Sequence, residues 1–175
     1  EYAHLSTGTP DSRPTNPKDD QFYVILDVKN PSNPVEAGRW HFPGTQEDDS
    51  APPLARHPQF DAGHSLHNAN VYPDRPDRAY CAWKDSGVVT LDISDKSNIS
   101  MLANVNYAPP FPGFTHTVLP LFEREMLVVT QEAVRQGGED YPKLVWLMDN
   151  RVETNPIITS TLPMADTEDF FNRPG

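Results

Sequence analysis

Short apolar runs alternate with polar, proline-containing stretches along the whole chain, and the densest pair of runs lies at its centre. Residues 79–83 and 88–93 are rich in β-branched and aromatic side chains, and Lys84-Asp85-Ser86-Gly87 between them ends in glycine. That pattern predicts two strands joined by a tight turn. Residues 94–98 then supply Ser, Asp and Asn side chains, which bond backbone locally and stop the second strand. The same criteria predict strands over 21–28, 35–42, 100–106, 114–119, 124–130, 144–148 and 157–162, with a short strand start over 70–73. Residues 1–20, carrying Pro10, Pro14 and Pro17, read as an extended arm rather than a strand. Residues 43–61, 107–113 and 131–142 read as loop insertions, and 164–175 as an acidic tail.

The second half of the central unit occurs three times, over 23–40, 88–105 and 144–162. Each copy has an apolar run, an Asp, an Asn six residues later, and a second β-rich run. The pairs are Asp27 and Asn33, Asp92 and Asn98, and Asp149 and Asn155. Repetition of strand-and-turn units predicts an all-β propeller or a similar array. The copies are spaced more widely than the roughly 40–50 residues of common blade repeats, so each interval carries an inserted loop. Two to three blades are expected, with repeat units near 22–42, 64–106 and 114–162, within a partial propeller domain over 21–175. An Asp at a strand end, repeated in every copy, is expected to serve folding rather than chemistry.

Composition narrows the function. Nineteen prolines leave no room for long helices. The net charge of −11 and the pI near 4.8 argue against nucleic acid and against an anionic membrane surface. One cysteine, Cys81, cannot form a disulfide within the chain, and its place inside a strand predicts a buried, inert thiol. Trp40, Trp83 and Trp146, also within strands, are expected to pack between blades. No phosphate-binding loop, dinucleotide fingerprint, nucleophile elbow or zinc-protease helix occurs, so no nucleotide cofactor is expected.

The histidines carry the candidate chemistry. His64 and His67 precede the strand leading to Tyr80, and His116 precedes the strand leading to Leu127. In a propeller those positions surround one end of the central channel, so side chains distant in sequence converge there. Imidazole suits Cu, Zn, Fe and, with oxygen donors, Mn, so His64, His67 and His116 are candidate metal ligands. Glu132, beyond the strand that ends at Thr130, is the candidate catalytic residue, placed to orient a ligand histidine or to act as a base.

The phrases RAYCAWKDSGVVTLDISD and FYVILDVKNPSNPVEAGRW resemble the unit of the LVIVD-repeat β-propeller family. The third copy, WLMDNRVETNP, keeps the Asp and Asn-Pro but is otherwise degenerate. A more distant similarity, through the DISD turn and the histidines, is to propellers of the selenium-binding, methanethiol-oxidase type. The LVIVD resemblance implies a ring of roughly six to eight blades, so other blades or chains are needed to close it, and the chain reads as a segment of a longer polypeptide. Two functions follow. One is a metal-dependent propeller enzyme, an oxidoreductase or lyase acting on a small molecule. The other is a non-catalytic propeller serving as a binding or interaction scaffold.

Overall fold

The computed structural model describes residues 1–133, 135, 140 and 142–163. The tail foreseen over 164–175 and parts of the 131–142 loop lie outside the described residues. Among the described residues the structure is all-β, with three short 3-10 turns and no α-helix. Sheet 1 is an antiparallel meander of β1 (Tyr2–Thr7), β2 (Phe22–Asp27) and β3 (Val35–Trp40). Sheet 2 comprises β4 (Leu66–Tyr72), β5 (Arg75–Trp83), β6 (Gly87–Asp92) and β7 (Ser100–Val105). Sheet 3 comprises β8 (Thr115–Leu121), β9 (Met126–Gln131), β10 (Leu144–Asp149) and β11 (Ile157–Pro163). In sheets 2 and 3 each strand pairs only with its neighbours in sequence.

The three sheets are copies of one unit, and the repeated Asp and Asn make them so. Asp27, Asp92 and Asp149 each end a strand and accept the backbone N–H two residues on, from Lys29 at 2.9 Å, Ser94 at 2.9 Å and Arg151 at 3.0 Å. The Asn N–H then closes the turn on the carbonyl three residues back: Asn33 on Asn30, Asn98 on Asp95 and Asn155 on Val152. The six-residue spacing is thus an Asx turn followed by a β-turn. The register also slips at one equivalent place in each sheet, between Ile25 and Leu26, Thr90 and Leu91, and Leu147 and Met148.

Two apolar layers hold the sheets together. Phe22, Tyr23, Val24 and Ile25 of β2 pack against Ala79, Cys81 and Trp83 of β5 and Val89 and Leu91 of β6. The opposite face of sheet 2, through Tyr80, Ala82 and Val88, packs against Val118, Leu127, Val129, Trp146 and Met148 of sheet 3. Sheet 2 is therefore buried on both faces, which is why its sequence is a continuous apolar run rather than an alternation. Each fully buried aliphatic side chain there contributes about 1.5–3 kcal/mol. All three tryptophans pack between sheets or against a sheet: Trp40 meets Trp83 edge-on at 5.0 Å, and Trp146 stacks on Tyr107 at 4.4 Å.

The N-terminal segment corrects the expectation of an arm without a strand. Tyr2–Thr7 forms β1, which pairs with β2 from Tyr2 opposite Asp27 to Thr7 opposite Phe22. Its residues are mostly small or polar, so neither hydrophobicity nor turn signals mark it. β4 likewise starts at Leu66, earlier than the strand start foreseen over 70–73, which moves His67 from a loop into a strand.

Candidate functional site

The structure separates His64 from the other two candidate histidines. Gly63 precedes it at φ +93°, and a Cβ at Gly63 would overlap the Lys18 carbonyl, so only glycine fits this approach. The His64 ring is buried, with Nδ1 2.7 Å from Ser86 Oγ and Nε2 3.2 Å from the Ala55 carbonyl. Donation from Nε2 to the carbonyl leaves Nδ1 to accept from the Ser86 hydroxyl, so both ring nitrogens are occupied. The His64 N–H donates to Asp19 Oδ1 at 2.6 Å, and its carbonyl accepts the Trp83 indole N–H. Asp19 is itself buried and held by Arg56, which also donates to Asp61 Oδ1 at 2.7 Å. The His64 side chain thus joins sheet 2 to the loops around it and lies outside the group formed by the other two.

His67 and His116 come together on the first strands of adjacent sheets. Their rings are 4.5 Å apart and inclined at 41°. The mechanism of their placement is the same in both sheets. Leu66 pairs with Trp83 and Asn68 with Ala82, leaving His67 unpaired; Thr115 pairs with Gln131 and Thr117 with Thr130, leaving His116 unpaired. Each histidine is the extra residue of a β-bulge, a device that turns a side chain out of the regular alternation. The sheets are then tied together beside it by Asn70, which donates to the Val118 carbonyl at 3.0 Å.

Glu132 follows β9 and faces both rings. Its Oε2 lies 3.8 Å from His67 Nε2 and 3.6 Å from His116 Nε2. One donor atom from each of His67, His116 and Glu132 falls within a group no wider than 4.8 Å. An ion bonded at about 2.0–2.2 Å to each donor needs donors roughly 3–4 Å apart, close to this spacing. His67 Nδ1 is 3.2 Å from the His116 carbonyl. Donation there places the proton on Nδ1 and leaves the Nε2 lone pair turned toward Glu132. His116 Nδ1 meets Thr117 Oγ1 at 2.8 Å and can be fixed in the same tautomer. The His67 imidazolium is disfavoured first by burial and then by the neighbouring His116, so its pKa lies below the ordinary value.

Two neighbours had no signal of their own in the sequence. Pairing aligns Trp83 with Gln131, so Lys84 in sheet 2 occupies the place of Glu132 in sheet 3. Lys84 Nζ lies 5.8 Å from the Phe114 ring centre, and that ring meets His67 edge-on at 5.1 Å. Phe114 sits at φ +74°, a region rarely entered by a bulky residue. Asp85, next to Lys84, braces the chain before His64: its Oδ2 accepts from the N–H groups of Ala62 at 2.7 Å and Gly63 at 3.2 Å. Gly113 packs so closely on the Asp85 carboxylate that a Cβ there would overlap it.

Serial antiparallel meanders packed face to face, with one turn chemistry in every copy, are blades of the β-propeller kind. Residues 19–41 and 77–107 match the family model of the LVIVD repeat, and the two matched segments fall on the first two turn-bearing units. These segments hold β2 with β3, and β5 through β7. Neither the curated proteins nor the solved structures yielded a match, and the distant similarity to selenium-binding propellers finds no support.

Proposed function

We propose that this chain forms blades of an LVIVD-type propeller that binds a transition-metal ion through His67, His116 and Glu132. The observation that carries the reading is the repeated bulge, which brings one imidazole from each of two sheets to a single carboxylate. Two neutral nitrogens and one carboxylate oxygen suit Zn, Cu, Fe or Mn. Three protein ligands leave open positions for water and a small-molecule substrate, the arrangement that catalytic metal sites keep. Such an ion supplies Lewis acidity or redox chemistry, and the chain's residues hold and orient it. Glu132 is the carboxylate arm of the site, and Thr117 and the His116 carbonyl fix the imidazoles. Further blades, from the same polypeptide or from other chains, close the ring around this end.

Titration calorimetry with Zn²⁺ tests the site. Wild type is expected to bind one equivalent, and His67→Gln and His116→Gln to weaken binding at least tenfold, while His64→Gln leaves the stoichiometry at one. Equal binding by wild type and both His67→Gln and His116→Gln would overturn the proposal. The scaffold reading is supported by a different observation: Val35, Met101, Ile157 and Leu162 are exposed on the outer strands β3, β7 and β11. Absence of metal binding would leave that reading standing.

A further inference from the structure

We infer that the substrate of this centre is a small organic carboxylate, its carboxylate group held by the Lys84 ammonium while its body lies against Phe114. The inference rests on the metal-site reading above and specifies what occupies the open side of that site. Lys84 has no carboxylate within ion-pair distance among the described residues, although the chain carries a net charge of −11. It is half-buried, at the end of β5, in the register position that Glu132 fills in the adjacent sheet. Equivalent register positions of the two sheets therefore carry a cation and an anion, and of the two only the anion is within ion-pair distance of the imidazoles.

Each group neighbours the next. Lys84 Nζ is 5.8 Å from the Phe114 ring centre, Phe114 is 5.1 Å from the His67 ring, and His67 is 4.5 Å from that of His116. An anion that reaches the ion from this side passes over an aromatic surface and meets a point charge. The aromatic surface favours an organic body over a bare oxyanion. A single ammonium, with no guanidinium fork joined to it, suits one carboxylate better than a phosphate, which is usually gripped by several donors. Phe114, whose ring neighbours both Lys84 and His67, sits at a positive φ, a conformation that costs backbone energy in a residue of this size.

Cobalt loading makes the test readable by visible absorption. The metal-free chain is given one equivalent of Co²⁺, its cobalt content is measured, and pyruvate is then titrated in. Wild type is expected to show a saturable change in the cobalt bands. Lys84→Met is expected to bind the same cobalt but to need about 10- to 100-fold more pyruvate, the worth of one charge-assisted contact. Lys84→Arg restores most of the affinity, and Lys84→Glu removes it. A Lys84→Met titration that matches wild type would overturn the inference while the metal site stands. Tighter, Lys84-dependent binding of inorganic phosphate than of pyruvate would overturn the choice of carboxylate. Failure of wild type to retain cobalt would bring down the metal site, and this inference with it, before any anion is added.

Discussion

At the residue scale, one residue type serves two opposite electrostatic roles. Hydrogen bonds to the Asp27, Asp92 and Asp149 carboxylates hold their pKa values below the ordinary range: from the Lys29 N–H, from Ser94 and from Arg151 respectively. A depressed carboxyl pKa adds stability that is present above the unfolded-state value and is lost as pH falls through the folded value. Burial does the reverse to Asp85, raising its pKa, so its contribution is present in acid and is lost as pH rises. The turn carboxylates outnumber it, so urea midpoints are expected to drop below the ordinary carboxylate range. Asp92→Asn keeps an acceptor for Ser94 but cannot titrate, and its midpoint is expected to fall less steeply in acid than that of wild type. Asp92→Ala loses the turn bonds and should cost about 1 kcal/mol in urea unfolding at neutral pH. An unchanged midpoint would show that the turn does not depend on this side chain.

At the element scale, packing on both faces of sheet 2 makes β5 and β6 the least tolerant strands. Leu91→Ala is expected to cost about 2–5 kcal/mol in denaturant unfolding. The Cys81 thiol, fully buried and with its pKa raised by burial, is expected to resist thiol reagents until the chain unfolds. Gly113→Ala drives a Cβ into the Asp85 carboxylate and is expected to cost about 1–3 kcal/mol, with a measurable loss in thermal midpoint. Most of these strands were legible, because their β-branched runs are bounded by Asp, Asn, Gly and Pro. β1 was not, because Tyr2–Thr7 lacks an apolar run and is a strand only through its partner β2. His67 was legible as a candidate but not as a strand residue, because a bulge breaks the alternation by which a strand is recognised. His64 shares its His-x-x-His phrase with His67, yet spacing does not reveal that Ser86 and Ala55 occupy both of its nitrogens. Lys84 and Phe114 carried no signal, since their relation to Glu132 and His67 exists only once the registers of two sheets are known.

At the scale of the whole molecule, the repeat explains both the architecture and the site. One Asp-to-Asn turn, used three times, sets successive meanders in one geometry, and the LVIVD match to residues 19–41 and 77–107 falls on two of those units. Stacking such units aligns their first strands, so a bulge repeated in sheets 2 and 3 stacks His67 beside His116. Sheet 1 has three strands and no counterpart of β4 or β8 beside β1, so no third imidazole enters from that side among the described residues. The proposed centre is thus a property of the contact between two blades, and neither sheet holds it alone. Elemental mass spectrometry of the purified chain, beside a His67→Ala, His116→Ala double variant of matching circular dichroism, tests this most directly. One equivalent of Cu, Zn, Fe or Mn in wild type, lost in the double variant, is the expected result. A folded wild type that carries and accepts no metal, or a double variant that keeps it, would contradict a metal centre between the blades.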